Sequence, residues 1–152
     1  MGIAYRCDKK NGITFEVWDG KITFEEWMEN VQKHLDDPDW PAGRVFLSDL
    51  RSVKANPSIG EKEIQKIAAV YGAHPRLPKN ARLAIIAAET FEKSQLFGRL
   101  LAEYGVTRVV FNSLDTACVW LGIEEKTAEK EIESLRACLR SSSGAKGCPV
   151  VV

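Results

Sequence analysis

The chain lacks a surplus of charge of either sign: 21 Lys and Arg face 21 Asp and Glu across 152 residues. Without a long-range field, generic attraction to a nucleic acid or an anionic membrane has no electrostatic basis. A long hydrophobic run is also missing. The longest, Leu83 to Ala88, has strand length and falls far short of the roughly 18 to 20 apolar residues that span a bilayer. Met1 to Arg6 carries no basic segment followed by an apolar one, and Arg6 stands where N-myristoylation needs Ser or Thr. Cys148, the fifth residue from the end, misses the prenylation position by one. The expected location is cytoplasmic. The four cysteines, Cys7, Cys118, Cys138 and Cys148, form no C-x-x-C pair, and neither His34 nor His74 stands at zinc-ligand spacing from them. Reduced thiols and no metal are therefore expected. Neither a G-x-G-x-x-G nor a Walker sequence occurs, so no nucleotide cofactor is implied.

What is present is ordinary for a folded protein. Hydrophobic residues make up 45% and charged residues 28%, so one compact domain with a real core is expected. Ile3 to Cys7 and Ile13 to Trp18 alternate with period two around Asn11-Gly12, which predicts a tight hairpin with positive φ at both turn residues. Thr23 and Glu26 form a capping box ahead of a helical stripe of Phe24, Trp27, Met28, Val31 and Leu35, ending before Pro38. A buried strand is predicted from Arg44 to Leu50. A second capping box, Ser58 and Glu61, precedes the helical spacing Ile64, Ile67, Ala68, Tyr71. Ala81 to Ala88 reads as a central parallel strand, Leu96 to Tyr104 as a helix closed by Gly105, and Val106 to Phe111 as a fifth strand. Two more helices follow, one after Ser113 and closed by Gly122, the other carrying Ala128, Ile132, Leu135 and Leu139. The last twelve residues, 141–152, have linker composition and are expected to form a mobile tail.

This order predicts an α/β fold: one mixed five-stranded sheet, with an antiparallel N-terminal hairpin and the remainder parallel, covered by helices. Ligands of such sheets bind beyond the carboxyl ends of the parallel strands, where helix N-termini gather. That rim collects Asp49 to Arg51, Asn56 to Gly60, Glu89-Thr90 and Asn112 to Asp115. Ser58, Thr90 and Ser113 are also what helix capping alone requires. The acidic residues Asp49, Glu61, Glu89 and Asp115 disfavour a phosphate there. Catalytic groups are sparse. His34 reads as a surface histidine compensating a helix C-terminus, and His74 as a loop residue. Cys118 reads as a core residue, with Cys138 and Cys148 as exposed thiols. No catalytic residues are assigned and a non-enzyme is expected. Trp27 and Trp120 read as packed, whereas Trp18, on the strand face of Thr14 and Glu16, and Trp40 are either packed or exposed as anchors for a partner.

With its leading hairpin, the strand-end Asp49-Leu50-Arg51, and Ser58-Ile59-Gly60 at a helix start, the chain resembles the STAS domain superfamily of anti-sigma-factor antagonists and sulfate transporters. It is most similar to the bacterial STAS/SEC14-type group through Gly20 to Thr23, Arg82 to Ile85, Val109 to Phe111 and Ala117 to Leu121. The resemblance covers about residues 3 to 123, which implies a domain over 1–123 and leaves 124–140 as an additional helix. It implies a non-catalytic regulatory module that binds a protein partner through Asp49, Arg51, Asn56, Ser58, Gly60 and Asn112, with Ser58 a phosphoacceptor. Pro57 departs from the polar neighbour expected beside that serine. The lipid-carrier side of the resemblance implies an alternative, a carrier or sensor of a lipid or other apolar small molecule. That alternative needs a cavity, whereas the large side chains on every helical stripe favour a filled core. A homodimer through the first strand's edge or the last helix is a further expectation.

Overall fold

The computed structural model describes residues 2–141 and the backbone of 150 and 151. β1 (Gly2–Asp8) and β2 (Ile13–Gly20) form the antiparallel hairpin; α1 (Phe24–Asp36), β3 (Val45–Val53), α2 (Glu61–Gly72), β4 (Arg82–Ala87), α3 (Phe91–Ala102) and β5 (Thr107–Phe111) follow. α4 (Leu114–Leu121) and α5 (Glu125–Arg140) complete the described helices. The sheet runs β5-β4-β3-β2-β1, with β2 through β5 parallel. At its outer edge Val150–Val151, β6, pairs antiparallel with Tyr5 and Ala4. Part of the segment expected to be a mobile tail therefore closes the β1 edge; 142–149 and 152 lie outside the described residues.

Three successive right-handed crossovers move in one direction along the sheet, and this places α1, α2 and α3 on the same face. Their inner stripes, among them Trp27, Val31, Ile64, Ile67, Phe97 and Leu101, pack on the sheet residues Tyr5, Trp18, Phe46 and Ile85. The opposite face, with Phe15, Val17, Leu47 and Ile86, is covered by α4 and α5 through residues including Leu114, Leu121, Ile132 and Leu135. The period-two alternation of β2 thus divides its side chains between two cores. The apolar stripe of α5 lies on this chain's own sheet, pinned by Arg6 Nη1 donating to Glu131 Oε2 at 2.6 Å, so it is not a free dimer face.

Several local expectations change. The Thr23–Glu26 capping box forms, with Thr23 N donating to Glu26 Oε2 at 2.8 Å and Glu26 N to Thr23 Oγ1 at 3.1 Å. Ser58 does not cap α2: the N-cap is Gly60, whose amide donates to Glu63 Oε2 at 2.9 Å. Thr90 and Ser113 occupy N-cap positions without making side-chain caps. β3 continues past Leu50 to Val53, and its register against β2 shifts between Val17 and Asp19.

The hairpin loop is four residues long, Lys9 to Gly12, and only Gly12 has positive φ. Asp8 organises it, accepting Gly12 N at its carbonyl at 2.8 Å and Asn11 N at its carboxylate at 3.1 Å. This loop presses on Gly43, where a Cβ would lie 2.3 Å from the Gly12 carbonyl oxygen. Backbone has no rotamer with which to retreat. Gly43→Ala is therefore expected to lose about 1–3 kcal/mol through overpacking; thermal denaturation showing an unchanged Tm would contradict the close approach.

Candidate functional site

The space between the sheet and α1 to α3 is not filled. It holds a cavity of about 120 Å³ whose walls include Trp27, Phe46, Ile85, Phe97 and Leu101. Its outer lining comes from Lys54, Asn56 and Ile59 after β3 and from Thr90 and Lys93 at the start of α3. Those segments lie beyond the carboxyl ends of β3 and β4, where the topology places ligands. Two contacts join them: Lys93 Nζ donates to the Asn56 carbonyl at 2.8 Å, and Lys54 pairs with Glu89 at 3.0 Å. The expectation of a filled core is corrected here. Several of the largest side chains lie along the walls and leave a space between them.

Glu16 is the polar centre of this chamber. β2 aims it inward between Thr14 and Trp18, and it is 8% exposed. Its carboxylate accepts Trp18 Nε1 at 2.6 Å, Asn30 Nδ2 at 3.0 Å and Ser48 Oγ at 3.3 Å. His34 Nε2 lies 3.2 Å from the same carboxylate. Burial pushes the Glu16 carboxyl up, and the contacts with His34, Asn30 and Trp18 outweigh it, leaving the group below the ordinary glutamate range.

His34 is buried, which corrects its reading as a surface residue. It lies three residues after Val31 and seven after Trp27, on the inner stripe of α1. Its ring stacks on Trp40 with centroids 5.1 Å apart and planes 6° apart, and meets Tyr5 edge-on at 4.3 Å. Its Nδ1 lies 2.6 Å from the Tyr71 hydroxyl. Burial drives the Tyr71 phenol well above its ordinary range, and the Glu16 charge adds to this; Tyr71 therefore stays protonated. The Arg76 guanidinium crosses the end of α1, donating to the carbonyls of His34, Leu35 and Asp37 at 3.0, 3.0 and 2.8 Å. The His34 and Leu35 carbonyls belong to the last turn of α1, where intrahelical partners run out, and satisfying them fixes the turn that carries His34. Trp18 and Trp40 are both buried, which settles them as packed residues.

Arg108 closes the chamber on the β5 side. Its guanidinium lies 4.2 Å from the Phe97 ring centroid, and its buried Nε and Nη1 have no hydrogen-bond partner among the described residues. Burial pushes it down to about 9, with Glu16 and Tyr71 only partly opposing this.

The rim residues read from the sequence separate into two groups. Asp49 is fully buried and faces the other core, so it is not a partner contact. It accepts Arg51 Nε and Nη2 at 2.9 and 2.8 Å, and Arg136 Nη2 from α5. Arg136 also donates to Ser52 at 2.8 Å, so β3 and α5 are joined twice. Burial raises the Asp49 carboxyl, but the Arg51 hydrogen bonds and the Arg136 charge hold it below the ordinary aspartate range. Arg51 is exposed but committed to Asp49. Asn56 is half-buried: Nδ2 donates to the Ile22 carbonyl at 2.9 Å, and Oδ1 accepts Ser58 N at 3.0 Å. Ser58 and Asn112 are exposed, and Gly60 is half-buried at the start of α2. By register, Leu50 pairs with Ala87 and Ile86 with Phe111, so β4 and β5 end at one rim beside Leu50, while β3 runs on to Val53 and Asp49 faces away.

Cys118 is a buried core thiol and Cys7 a half-buried free one, as reduced cysteines should be. Cys138 departs from that expectation and is disulfide-bonded; Cys148 lies outside the described residues. No cluster of three or more metal-ligating side chains occurs among the described residues, and no described helix is long and apolar enough to cross a membrane. Comparison with family models, curated proteins and solved structures finds no match, so function is argued from geometry.

Glu16 and Asp49 both bind protons more weakly folded than unfolded. Their stabilisation is present above their ordinary values of 4.5 and 3.8 and is lost as pH falls through those values toward the lower folded ones. Glu16→Gln is expected to lose about 1–3 kcal/mol at pH 7, because an amide cannot accept from the same set of donors. It should also show a shallower acid decline than the wild type in urea titrations run from pH 7 to pH 3. Parallel pH profiles for the two proteins would contradict the assignment of a buried Glu16 carboxylate.

Proposed function

We propose that this protein is a non-catalytic binding module that takes a small, largely apolar molecule into the chamber between the sheet and α1 to α3. The observation supporting this is the chamber itself: an aromatic and aliphatic space of about 120 Å³ reaching the carboxyl rim of a parallel sheet. A dry apolar cavity of roughly 150 Å³ holds benzene, so a chamber of about 120 Å³ that opens toward the rim limits the guest to at most a single ring or a short chain. A diacyl lipid is too large. Of the two functions implied by the resemblance, the chamber favours the small-molecule carrier or sensor.

The regulatory reading is supported at the same rim. Asn56 and Ile59 line the chamber, while Ser58 between them is exposed. A guest that displaces Ile59 or the Lys93 contact at Asn56 changes the surface offered by Ser58, Gly60 and Asn112. The module then reports occupancy to a partner protein, and phosphate on Ser58 modifies the same loop. No catalytic step is proposed: Glu16, His34 and Tyr71 hold one another, and the Ser48 hydroxyl beside them donates to Glu16.

The test is titration with toluene, monitored by the emission of Trp18, Trp27 and Trp40, all of which line the chamber. A saturable change in the wild type is expected, and its loss in Val53→Phe, which fills the space from the rim. The variant should keep its Tm, since added volume enters an existing void. No saturable change in the wild type, or equal binding by a folded Val53→Phe, would overturn the reading.

A further inference from the structure

The buried polar atoms that lack partners are not scattered. Six such atoms are found among the described residues. Arg108 Nε and Nη1, Trp40 Nε1 and Thr90 Oγ1 belong to residues lining the chamber, whereas His34 Nε2, also in the lining, already faces the Glu16 carboxylate at 3.2 Å. Buried polar groups are nearly always satisfied in folded proteins, and a concentration of exceptions in one cavity is characteristic of a site built for a ligand. The chemistry of the set is one-sided. Arginine and tryptophan nitrogens only donate, and a threonine hydroxyl readily donates. The fitting ligand group is therefore an acceptor.

Charge points the same way. The ionisable lining residues are Glu16, His34, Lys54, Lys93, Arg108 and Tyr71. Glu16, the sole carboxylate among them, already takes donors from Trp18, Asn30 and Ser48. Tyr71 stays neutral, and Lys54 is matched by Glu89 outside the lining. Arg108 has no ion-pair partner, and Lys93 bonds only a neutral carbonyl. Arg108 is half-buried, with Nε and Nη1 shut off from solvent; a guanidinium edge desolvated in this way is costly alone and favourable against an anion. The remaining wall is aromatic, with the parallel His34–Trp40 stack and the edge-on Trp27–Phe97 pair, and so suits a flat apolar body.

We infer that the chamber selects a small monocarboxylate, a ring-sized or short-chain apolar acid whose carboxylate meets Arg108 and whose body lies among the aromatic side chains. This rests on the small-molecule reading above and specifies its ligand. A phosphate monoester is the poorer match: its second charge would lie in a space of about 120 Å³ with one unpaired guanidinium and the Glu16 carboxylate facing it.

The test compares benzoate with benzyl alcohol, a neutral probe of similar size, by calorimetry on the full chain at pH 7. The wild type should prefer benzoate by roughly tenfold or more, the increment of one charge-assisted hydrogen bond in a dry site. Arg108→Met, which removes a half-buried cation and should fold at least as well, is expected to lose that preference while retaining benzyl alcohol. Arg108→Lys should restore part of it. Equal affinities in the wild type, or an undiminished preference in Arg108→Met, would overturn the monocarboxylate assignment even if toluene and benzyl alcohol still bind. Absence of binding by all three probes would instead overturn the chamber as a ligand site.

Discussion

One buried carboxylate organises the functional half of this molecule. Glu16 on β2 gathers hydrogen-bond donors from its own strand, from Ser48 on β3 and from Asn30 on α1, with His34 beside it and Tyr71 of α2 beyond. An ionised carboxylate under a helical layer is tolerable only with such a set of partners. The partners in turn lock the rotamers of large side chains along the walls. Trp18 is turned to donate to Glu16, and its ring meets Trp27 edge-on at 5.6 Å. His34 is held against Trp40. Side chains tied to the perimeter cannot collapse inward, and this gives a physical reason for a void in a core that is otherwise well covered.

The opposite face provides the contrast. There Asp49 is surrounded by Arg51, Arg136 and Ser52, and the apolar residues from β1 to β4 interdigitate with α4 and α5. Its buried charge is paired on the spot. On the chamber side, Glu16 and Arg108 belong to the same lining without forming an ion pair, and Arg108 keeps unpartnered donors. The two faces divide the work. One ties the sheet to its C-terminal helices, and the other offers space, an acceptor-seeking cation and a route to the rim.

The architecture was largely legible in the sequence. Period-two alternation in Ile3 to Trp18, the Thr23–Glu26 box, and the apolar stripes of Ile64 to Tyr71 and Ala128 to Leu139 are local signals, and crossover handedness converts them into one sheet with its parallel strands in chain order. The α2 start was misplaced because Ser58 and Glu61 repeat a capping spacing that Gly60 and Glu63 also satisfy through the backbone amide. The site was less legible. His34 carries the helical signal of an inner residue, three positions after Val31, but its acidic neighbours Asp36 and Asp37 suggested an exposed helix end. Arg108 follows the strand alternation with Val110, yet nothing local says that its guanidinium remains under α3. Asp49 stands at the rim in sequence, and only the pleat and α5 decide that it faces the other core. Cavities have no local signature at all, since they are set by which side chains fail to meet.

The most direct measurement of the chamber is anomalous diffraction from a crystal pressurised with xenon, which enters apolar cavities of this kind without needing a charge or a hydrogen bond. The account predicts a xenon peak bounded by Trp27, Ile85 and Phe97, with Glu16 still held by Trp18, Asn30 and Ser48. A core in which those aromatic side chains fill the space, with no xenon between the sheet and α1 to α3, would contradict it.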